Sequence, residues 1–502
     1  MSDTPDDNDS NITRRPPRDA PPPNARNDDD GDDGDDGGDD DDEGGESPEA
    51  GGQQAGAPGG QGQGGGRKKR RRRRRRGGGI QFTPEGQAYR MVTGPDGQQA
   101  QVFLTPQELE QHKMRQAQQQ VQQPRPGGPG QQAGGQVQLV PVEGVLDTDV
   151  KGQNAYLRQL KRNLLPSPED AELPKNLVQK FRLRPGQYIN GLAQPRGPRA
   201  LVQKIELVDG KPWEQMVRHP HFGDLTSIDP HERIKLEHGH REYVTRVLDL
   251  VSPVGKGQRA LIVAPPKTGK TIMLQRIAGA ITTNHPDIHL MVVLIDERPE
   301  EVTDMRRSIK GEVLASSSDR PSGDHLKVAE LAVERARRLV EGGKDVVILL
   351  DSITRLARAF NKEVDSSGRT LTGGVDSRAL ERPKRIFGSA RATEEAGSLT
   401  IIGTALIDTG SRMDEVIFEE FKGTGNSEVT LDRLLAEKRI FPAVNIPQSG
   451  TRKEEKLFTP KEYEKVKKLR QMLFSVKPIE AMEALVKRLG RYTYNDEFLD
   501  EL

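Results

Sequence analysis

One segment constrains the fold of this 502-residue chain more than any other: Ala264-Pro-Pro-Lys-Thr-Gly-Lys-Thr271. It follows a short apolar run and precedes a helical pattern that reaches Ile281. A loop of this kind, between a strand and a helix, directs backbone N–H groups toward a phosphate. The first position of the motif is usually glycine and is Ala264 here. The segment therefore predicts a nucleotide-binding α/β domain.

Further apolar runs predict the sheet around this loop. Expected strands cover residues 258–264, 289–295, 345–350 and 399–407, and an expected helix covers residues 324–340. The helix is predicted to end at Gly342-Gly343. Because the strands are continuously apolar and are joined by helical patterns, we expect a mostly parallel sheet with helices on both faces.

Two carboxylates at strand ends complete a candidate ATPase site. Glu297 could polarise an attacking water, and Asp351 stands where a ligand of Mg²⁺ belongs. We expect both on strands beside the one that precedes the phosphate loop. Lys270 would reach the β- and γ-phosphates, and the Thr271 hydroxyl would hold Mg²⁺. Taken singly, either carboxylate could equally be a helix N-cap or a surface charge.

The first quarter of the chain has a composition that cannot form a core. Residues 1–66 contain 19 Asp or Glu and 4 Arg, whereas residues 67–76 are all Arg or Lys. No Phe, Tyr or Trp precedes Phe82. Because so little apolar surface offsets the entropy of ordering, residues 1–135 are predicted to be a disordered extension. Within it, the pattern around residues 94–97 suggests a small hairpin.

Residues 136–215 show short alternating apolar stretches separated by Pro and Gly turns. This pattern predicts a small OB-like (cold-shock-like) β-barrel. The segment is rich in Lys and Arg, so it is either a binder of single-stranded nucleic acid or a barrel with an ordinary solvated basic face. Residues 216–244 are expected to link it to an ATPase domain of residues 245–502.

Composition excludes several classes of protein. The chain has no Cys, which excludes a disulfide scaffold, a thiolate zinc site and a cysteine nucleophile. It has no run of about 18 apolar residues and no apolar N-terminal segment, so neither a transmembrane helix nor a secretory signal is expected. We therefore expect a cytoplasmic protein without a membrane partner.

Longer segments carry a resemblance that reaches from about residue 138 to the C-terminus. They are residues 247–259, 261–271, 294–303, 350–358, 371–376, 405–411, 418–426 and 449–454. In these segments the chain resembles the Rho family of bacterial transcription termination factors. The resemblance implies a RecA-type ATPase core in a homohexameric ring. Such a ring hydrolyses ATP, translocates along single-stranded RNA and releases transcripts from the RNA polymerase elongation complex.

The resemblance also implies roles for individual residues. The ATP contacts would be Gly255, Lys256, Gly257, Gln258, Arg259, Ala260, Lys267, Thr268, Gly269, Lys270, Thr271, Ile272, Arg298 and Phe441. The catalytic residues would be Lys270, Glu297, Asp351 and Arg452, with Thr271 and Asp351 holding Mg²⁺. Phe441 would stack on adenine, and Ile272 stands where Met is expected. Arg452 would be an arginine finger that reaches the ATP of a neighbouring subunit.

Two loops would line the central pore of the ring and contact RNA. One covers residues 364–376 and contains Arg369, Thr370 and Thr372. The other covers residues 408–412, and its Arg412 stands where Lys is expected. Without the resemblance, both would be interpreted as glycine-rich surface loops.

The outer RNA site of the barrel fits the family pattern less well. The family has two aromatic residues before Leu-Arg, whereas the aligned residues 152–158 keep one ring, Tyr156, followed by Arg158. Because a stacked base contributes about 1–3 kcal/mol, we expect weaker RNA loading. We hypothesise that the basic run 67–76 supplies the missing phosphate affinity. The alternative is that the acidic tract before it neutralises that run.

The leading interpretation is an RNA-dependent ATPase motor that terminates transcription. A rotary ATP synthase β-type subunit shares the core architecture, but the pore loops and the basic barrel argue against it. An RNA-binding ring that binds ATP without turnover would require the loss of a catalytic residue, and all four are present. A condensate scaffold that depends on the charged extension is the remaining alternative.

Overall fold

The computed structural model describes residues 81–82, 88–93, 98–105, 138–149, 152, 154–216, 219–364 and 370–502. The chain divides into two compact units, Met1–Pro129 and Gly130–Leu502. In the first unit, β1 (Gln81–Phe82), β2 (Ala88–Thr93) and β3 (Gln99–Phe103) form an antiparallel sheet.

The pairing of β2 with β3 is the hairpin that the sequence suggests, although its turn lies outside the described residues. These strands fall within the stretch for which composition predicts disorder. Most of that stretch, including the basic run 67–76, also lies outside the described residues.

Within residues 138–149 and 154–216, five strands close into a barrel in the order β4-β5-β6-β8-β7. They are β4 (Val140–Thr148), β5 (Ala155–Arg158), β6 (Ala171–Leu173), β7 (Tyr188–Arg196) and β8 (Arg199–Val208). Helix α1 (Lys175–Lys180) joins β6 to β7. Leu146, Leu157 and Ile189 fill the interior and are fully buried. The OB-like barrel is therefore confirmed.

The remaining strands, in chain order, follow the barrel. They are β9 (Ser227–Ile228), β10 (Arg233–Ile234), β11 (Val254–Gly255), β12 (Arg259–Ala264), β13 (His289–Glu297), β14 (Glu312–Ser317), β15 (Val346–Asp351), β16 (Thr370–Leu371), β17 (Val375–Asp376), β18 (Ala392–Thr393), β19 (Leu399–Leu406), β20 (Ser427–Thr430) and β21 (Gly450–Thr451). Within residues 219–364 and 370–502, seven of them form the main sheet in the order β14-β13-β15-β19-β12-β20-β21. All neighbours in it are parallel except β20 and β21.

The other helices follow α1 along the chain. They are α2 (Trp213–Met216), α3 (Tyr243–Val251), α4 (Lys270–Asn284), α5 (Pro299–Ser308), α6 (Ser322–Glu341), α7 (Ile353–Glu363), α8 (Glu381–Gly388), α9 (Arg412–Lys422), α10 (Arg433–Glu437), α11 (Pro460–Phe474), α12 (Pro478–Leu489) and α13 (Asn495–Asp500). Across the described part of the chain, none of these helices has the length and apolar character needed to cross a bilayer.

Both faces of the sheet are covered because alternate residues of a strand enter different hydrophobic cores. In β12, Ile262 belongs to the core that includes α4, whereas Leu261 and Val263 belong to the core that includes α6 and α7. Burial on both sides explains why the strands are continuously apolar in sequence. The predicted RecA-type α/β fold class is confirmed.

The barrel packs directly on the ATPase domain within the second unit. The Arg184 guanidinium pairs with the buried Glu341 carboxylate of α6 at 2.6 Å. The same carboxylate accepts a hydrogen bond from the backbone N–H of Phe222 at 2.6 Å. Phe222 lies in the segment expected to be a linker, which in addition holds β9 and β10. This segment therefore fixes the barrel to the sheet domain.

Candidate active site

The phosphate loop lies between the C-terminal end of β12 and the first residue of α4, Lys270. Gly269 has φ +91° and Lys267 has φ +67°, so both are in the left-handed region of backbone conformation. The buried Thr268 hydroxyl donates a hydrogen bond to the Pro265 carbonyl at 2.8 Å, which closes the loop on itself. The loop thus presents its N–H groups at the N-terminus of a 15-residue helix, where phosphate binds favourably.

Lys270 connects the two carboxylates that the sequence identifies. Its Nζ donates to Glu297 Oε1 at 2.9 Å and to Asp351 Oδ1 at 2.5 Å. Asp351 Oδ1 also accepts a hydrogen bond from the Thr404 hydroxyl at 2.7 Å. The three predicted residues therefore meet at one point, at the carboxyl ends of the strands.

The prediction that both carboxylates lie on strands beside the phosphate-loop strand is wrong. β19 lies between β12 and β15, and β13 lies beyond β15, so neither carboxylate is on a strand beside the loop strand. The site still forms because the long Lys270 side chain spans the intervening strand. Thr404, on that strand, is a site residue that sequence reasoning missed, since nothing in the sequence shows the order of the strands.

Burial and charge set the protonation of this cluster. Burial raises the pKa of Glu297, and the nearby Asp351 charge raises that pKa further, whereas Lys270 and Arg355 offset part of the effect. Burial by itself would lower the pKa of Lys270, but the two carboxylates outweigh it and the pKa is raised. The raised pKa of Lys270 keeps its ammonium charged, and the raised pKa of Glu297 makes this carboxylate take up a proton more readily than an exposed Glu.

Two arginines of α7 were not singled out in the sequence. Arg355 Nη2 lies 3.5 Å from Glu297 Oε2, and its Nη1 also contacts the backbone carbonyl of Asp296. One turn later, Arg358 pairs with the buried Asp414 through Nε at 2.7 Å and Nη2 at 2.5 Å. Both belong to the segment 350–358 that carries the family resemblance. The sequence could have indicated both arginines through this segment. Residues three apart lie on the same face of a helix, so Arg355 and Arg358 could have been expected side by side.

Several predicted ATP contacts surround the phosphate loop. Phe441 is 45% exposed, and its ring lies 3.6 Å from the position that a Cβ on Gly269 would take. Ile272 is 56% exposed, and the exposed Arg298 precedes α5. Lys267 lines a cavity of about 320 Å³. The Phe441 ring and two cations with long side chains, Lys267 and Arg298, thus lie where a nucleotide bound at the loop would extend.

Residues 255–260 do not lie near this loop. They precede or begin β12, whereas the loop follows its other end. Because a strand rises about 3.3 Å per residue, Arg259 and Ala264 are on the order of 17 Å apart. The Gly257 N–H instead donates to the Thr400 hydroxyl at 2.8 Å, and Lys256 pairs with Asp345 at 2.8 Å. These residues therefore cannot contact a nucleotide bound at the loop of the same chain.

Arg452 is also at the end of the sheet away from the phosphate loop. It follows β21, and its backbone N–H donates to the Asn426 carbonyl at 2.9 Å. Its side chain is exposed. Burial lowers the pKa of Arg259, and the Arg452 charge lowers that pKa further, so the two guanidinium groups face the same region. From this position Arg452 cannot serve the ATP site of its own chain.

The two predicted pore loops contact each other. A Cβ on Gly373 would lie 2.8 Å from the Arg412 carbonyl oxygen, so the turn that contains the exposed Thr372 packs on the start of α9. Arg412 is the exposed first residue of that helix. Thr370 lies in β16, and Arg369 lies outside the described residues.

Two arginines of the barrel lie beside the Tyr156 ring, and one of them is paired with carboxylates. Arg158 is buried and pairs with Asp147 and Asp170, each at 2.7 Å, so its charge is compensated. Its guanidinium carbon lies 4.9 Å from the centre of the Tyr156 ring. Arg199 is one of the basic residues of the barrel segment that the sequence did not assign to the RNA site; it lies 5.2 Å from the same ring and is exposed.

The residues at the site fit Mg²⁺. This ion commonly takes one or two protein carboxylates and completes its shell with phosphate oxygens and water. The Asp351 carboxylate at the end of β15 and the half-buried Thr271 at the start of α4 are the oxygen donors beside the phosphate loop.

A family model and several individual proteins are similar to this chain in sequence. Residues 244–451 match the model of the ATP synthase alpha/beta family, nucleotide-binding domain. A transcription termination factor Rho from Streptomyces lividans is 54% identical over 371 residues, which cover 72% of this chain and 52% of that protein. The chain thus spans about half the length of that relative.

A second relative is covered more completely. A transcription termination factor Rho from Aquifex aeolicus is 52% identical over 369 residues, which cover 72% of this chain and 84% of that protein. Among solved structures, a prototypical ATPase from the type III secretion system of pathogenic bacteria aligns with a TM-score of 0.47 and 22% identity. That alignment covers 55% of this chain and 86% of the other.

Proposed function

Because the chain belongs to the family of transcription termination factor Rho, we propose that it is an RNA-dependent ATPase. It works as a homohexameric ring that moves along single-stranded RNA and terminates transcription. The observation that carries the proposal is the meeting of Lys270 with Glu297 and Asp351 at the phosphate loop. This set has the charge and geometry that phosphoryl transfer to water requires.

The chain's own residues divide the work of hydrolysis. Lys270 exchanges its carboxylate partners for the β- and γ-phosphates of ATP, and its fixed charge stabilises the leaving group. Glu297 accepts a proton from the attacking water. Thr271 and Asp351 would hold Mg²⁺, which supplies charge neutralisation at the phosphates. Phe441 covers the base.

Arg452 acts on the ATP of a neighbouring subunit. Its exposed side chain at the opposite end of the sheet supports this role, because a ring of identical subunits brings one end of each sheet toward the other end of the next. An arginine supplied in this way stabilises charge on the transferred phosphoryl group. Hydrolysis then depends on assembly of the ring.

Helix α7 couples RNA to hydrolysis. Arg355 contacts Glu297, and Arg358 holds Asp414 two residues after Arg412 of the pore loop. A shift of the loop on RNA binding would move α7 and so change the position of the Glu297 carboxylate.

The RNA is the nascent transcript of the RNA polymerase elongation complex. The protein therefore acts in the cytoplasm.

The proposal is tested by steady-state ATP hydrolysis with and without a long cytosine-rich RNA. We expect strong stimulation by RNA and a loss of about 10³-fold or more in Arg452→Ala. Lys270→Ala should also be inactive. When the two inactive variants are assembled together, some interfaces combine an intact Lys270 with an intact Arg452 of the neighbour, so activity should partly return.

Two results would count against the proposal. Hydrolysis at the same rate with and without RNA would contradict the coupling of RNA binding to hydrolysis. If the mixed assembly does not recover activity, the proposal that neighbouring subunits share an active site is wrong. An assembled ring that binds RNA and ATP without turnover would instead support the passive RNA-binding alternative.

A further inference from the structure

We infer that a cavity beside Trp213, formed by the barrel and the segment that follows it, binds a nucleobase of single-stranded RNA. The inference rests on the RNA-binding function proposed above. The cavity has a volume of about 530 Å³ and lies where α1 ends and where the chain leaves β8. This volume is within the range of roughly 300–1,000 Å³ that is typical of small-ligand sites. Tyr156 of the barrel is not among its lining residues, so this is a separate site.

Two aromatic rings form one wall. The ring centroids of Phe181 and Trp213 are 5.2 Å apart, and their planes meet at 86°. Both side chains are half-buried. In an edge-to-face pair one ring turns its edge to the other, so the faces of that ring are not covered by its partner and one of them can take a planar ligand. A base stacked on such a ring contributes about 1–3 kcal/mol, whatever its identity.

The charges around these rings favour an anionic ligand. None of the lining residues, all of which the structure describes, is Asp or Glu. Arg182 and His221 line the cavity with exposed side chains, and His219 lines it half-buried. Arg182 makes no ion pair with any residue in the described part of the chain, so its charge is available to a phosphate. Lys180 lies 5.3 Å from the centre of the Phe181 ring and adds to the positive charge.

A second arginine of the lining is held in place by contacts with the ATPase domain and with the segment that follows the barrel. Arg184 lines the cavity and is fixed by Glu341 of α6 and by His221 Nδ1, which lies 2.6 Å from Arg184 Nη1. Its charge is therefore compensated, and it shapes the cavity rather than attracting the ligand. Exposed positive charge beside aromatic rings is the combination that single-strand RNA sites use.

This site supplies stacking that the barrel face lacks. Tyr156 is the only ring that residues 152–158 contribute, whereas the cavity offers two rings within one small volume. An RNA strand bound at both places gains affinity without a second ring beside Tyr156.

The lone Trp of the chain makes the test direct. Trp213 emission of the full-length protein is titrated with a 12-nucleotide cytosine RNA, while RNA binding is measured in parallel by filter retention. We expect emission to change with the same midpoint as retention. Trp213→Phe keeps a ring for stacking and should retain RNA affinity, whereas Trp213→Leu should weaken RNA affinity about tenfold, the effect of losing one stacked base. Thermal unfolding checks that each variant is folded.

Charge removal gives a second readout. Arg182→Gln should lower the slope of log affinity against log salt by about 0.7, as expected for one lost phosphate contact on a single strand. Arg491→Gln is the matched control, since Arg491 is exposed and lies in the turn after α12. It should leave the slope unchanged.

The outcomes separate this inference from the proposed function. If RNA binds and stimulates hydrolysis but Trp213 emission stays constant, the cavity assignment is wrong and the ATPase motor stands. Free CMP is compared with the RNA at an equal total concentration of cytosine bases. If it changes the Trp213 emission as the RNA does, the cavity is a site for free nucleotides and the RNA assignment is wrong. If no RNA binds at all, both the inference and the proposed function fail.

Discussion

At the scale of single residues, Glu297 shows how the site sets its own chemistry. The residue is 2% exposed, and its carboxylate lies 2.9 Å from the Lys270 ammonium and 3.5 Å from the Arg355 guanidinium. Burial and the Asp351 charge raise its pKa in spite of these cations. A carboxylate with a raised pKa is a better proton acceptor when ionised, which suits a general base.

Glu297→Gln should therefore abolish turnover while ATP remains bound. We expect kcat to fall by about 10²- to 10⁴-fold, since the amide cannot accept the proton. In the native protein, activity should rise with pH through the raised pKa of Glu297, because only the ionised form acts, and the variant should lack this rise. A pH series of RNA-stimulated hydrolysis measures both. Glu300→Gln, an exposed neighbour on α5, should behave like the native protein.

At the scale of elements, one turn decides how the barrel meets the ATPase domain. Gly186 lies between α1 and β7 with φ +91°, in the left-handed region. A Cβ there would lie 2.4 Å from the Glu334 backbone carbon of α6. Gly197, at the tip of the β7–β8 hairpin, has φ +62° but would place its Cβ in open space.

These two glycines form a matched pair for mutation. Each change to Ala carries the cost of a left-handed backbone, about 1–2 kcal/mol. Only Gly186→Ala also forces a backbone clash with α6, which should add about 1–3 kcal/mol of destabilisation. Urea unfolding followed by circular dichroism measures the difference. Equal losses in the two variants would mean that the barrel–helix contact does not constrain this turn.

At the scale of the whole molecule, the charge blocks before the barrel are the largest feature outside the two folded domains. Residues 67–76 carry ten positive charges and follow an acidic tract. Each phosphate that a protein neutralises on single-stranded nucleic acid steepens the salt dependence of binding by about 0.7. The hypothesis that this run supplies RNA affinity can therefore be tested by salt alone.

RNA affinity against salt should be steeper for the full chain than for a chain that begins at Gln136. A chain that begins at Arg67 retains the basic run without the acidic tract and serves as the internal comparison. If the first two chains have equal slopes and the third is steeper, the acidic tract neutralises the run, and the hypothesis is wrong.

The sequence by itself determined the features that depend on neighbours along the chain. The phosphate loop, the apolar strands, the basic barrel and the family segments could all be identified because residue spacing and local pattern define them. Lys270, Glu297 and Asp351 were found this way, since each begins or ends an element that is recognisable on its own.

Only the tertiary structure decided which of these residues meet. It inserted β19 between β12 and β15, brought Thr404 and Arg355 to the carboxylates, and placed residues 255–260 at the far end of β12. It also enclosed Trp213 and Arg182 in one cavity. The physical reason is that the distances between these side chains depend on strand order and on packing between residues far apart in sequence. The local sequence pattern does not encode either of them.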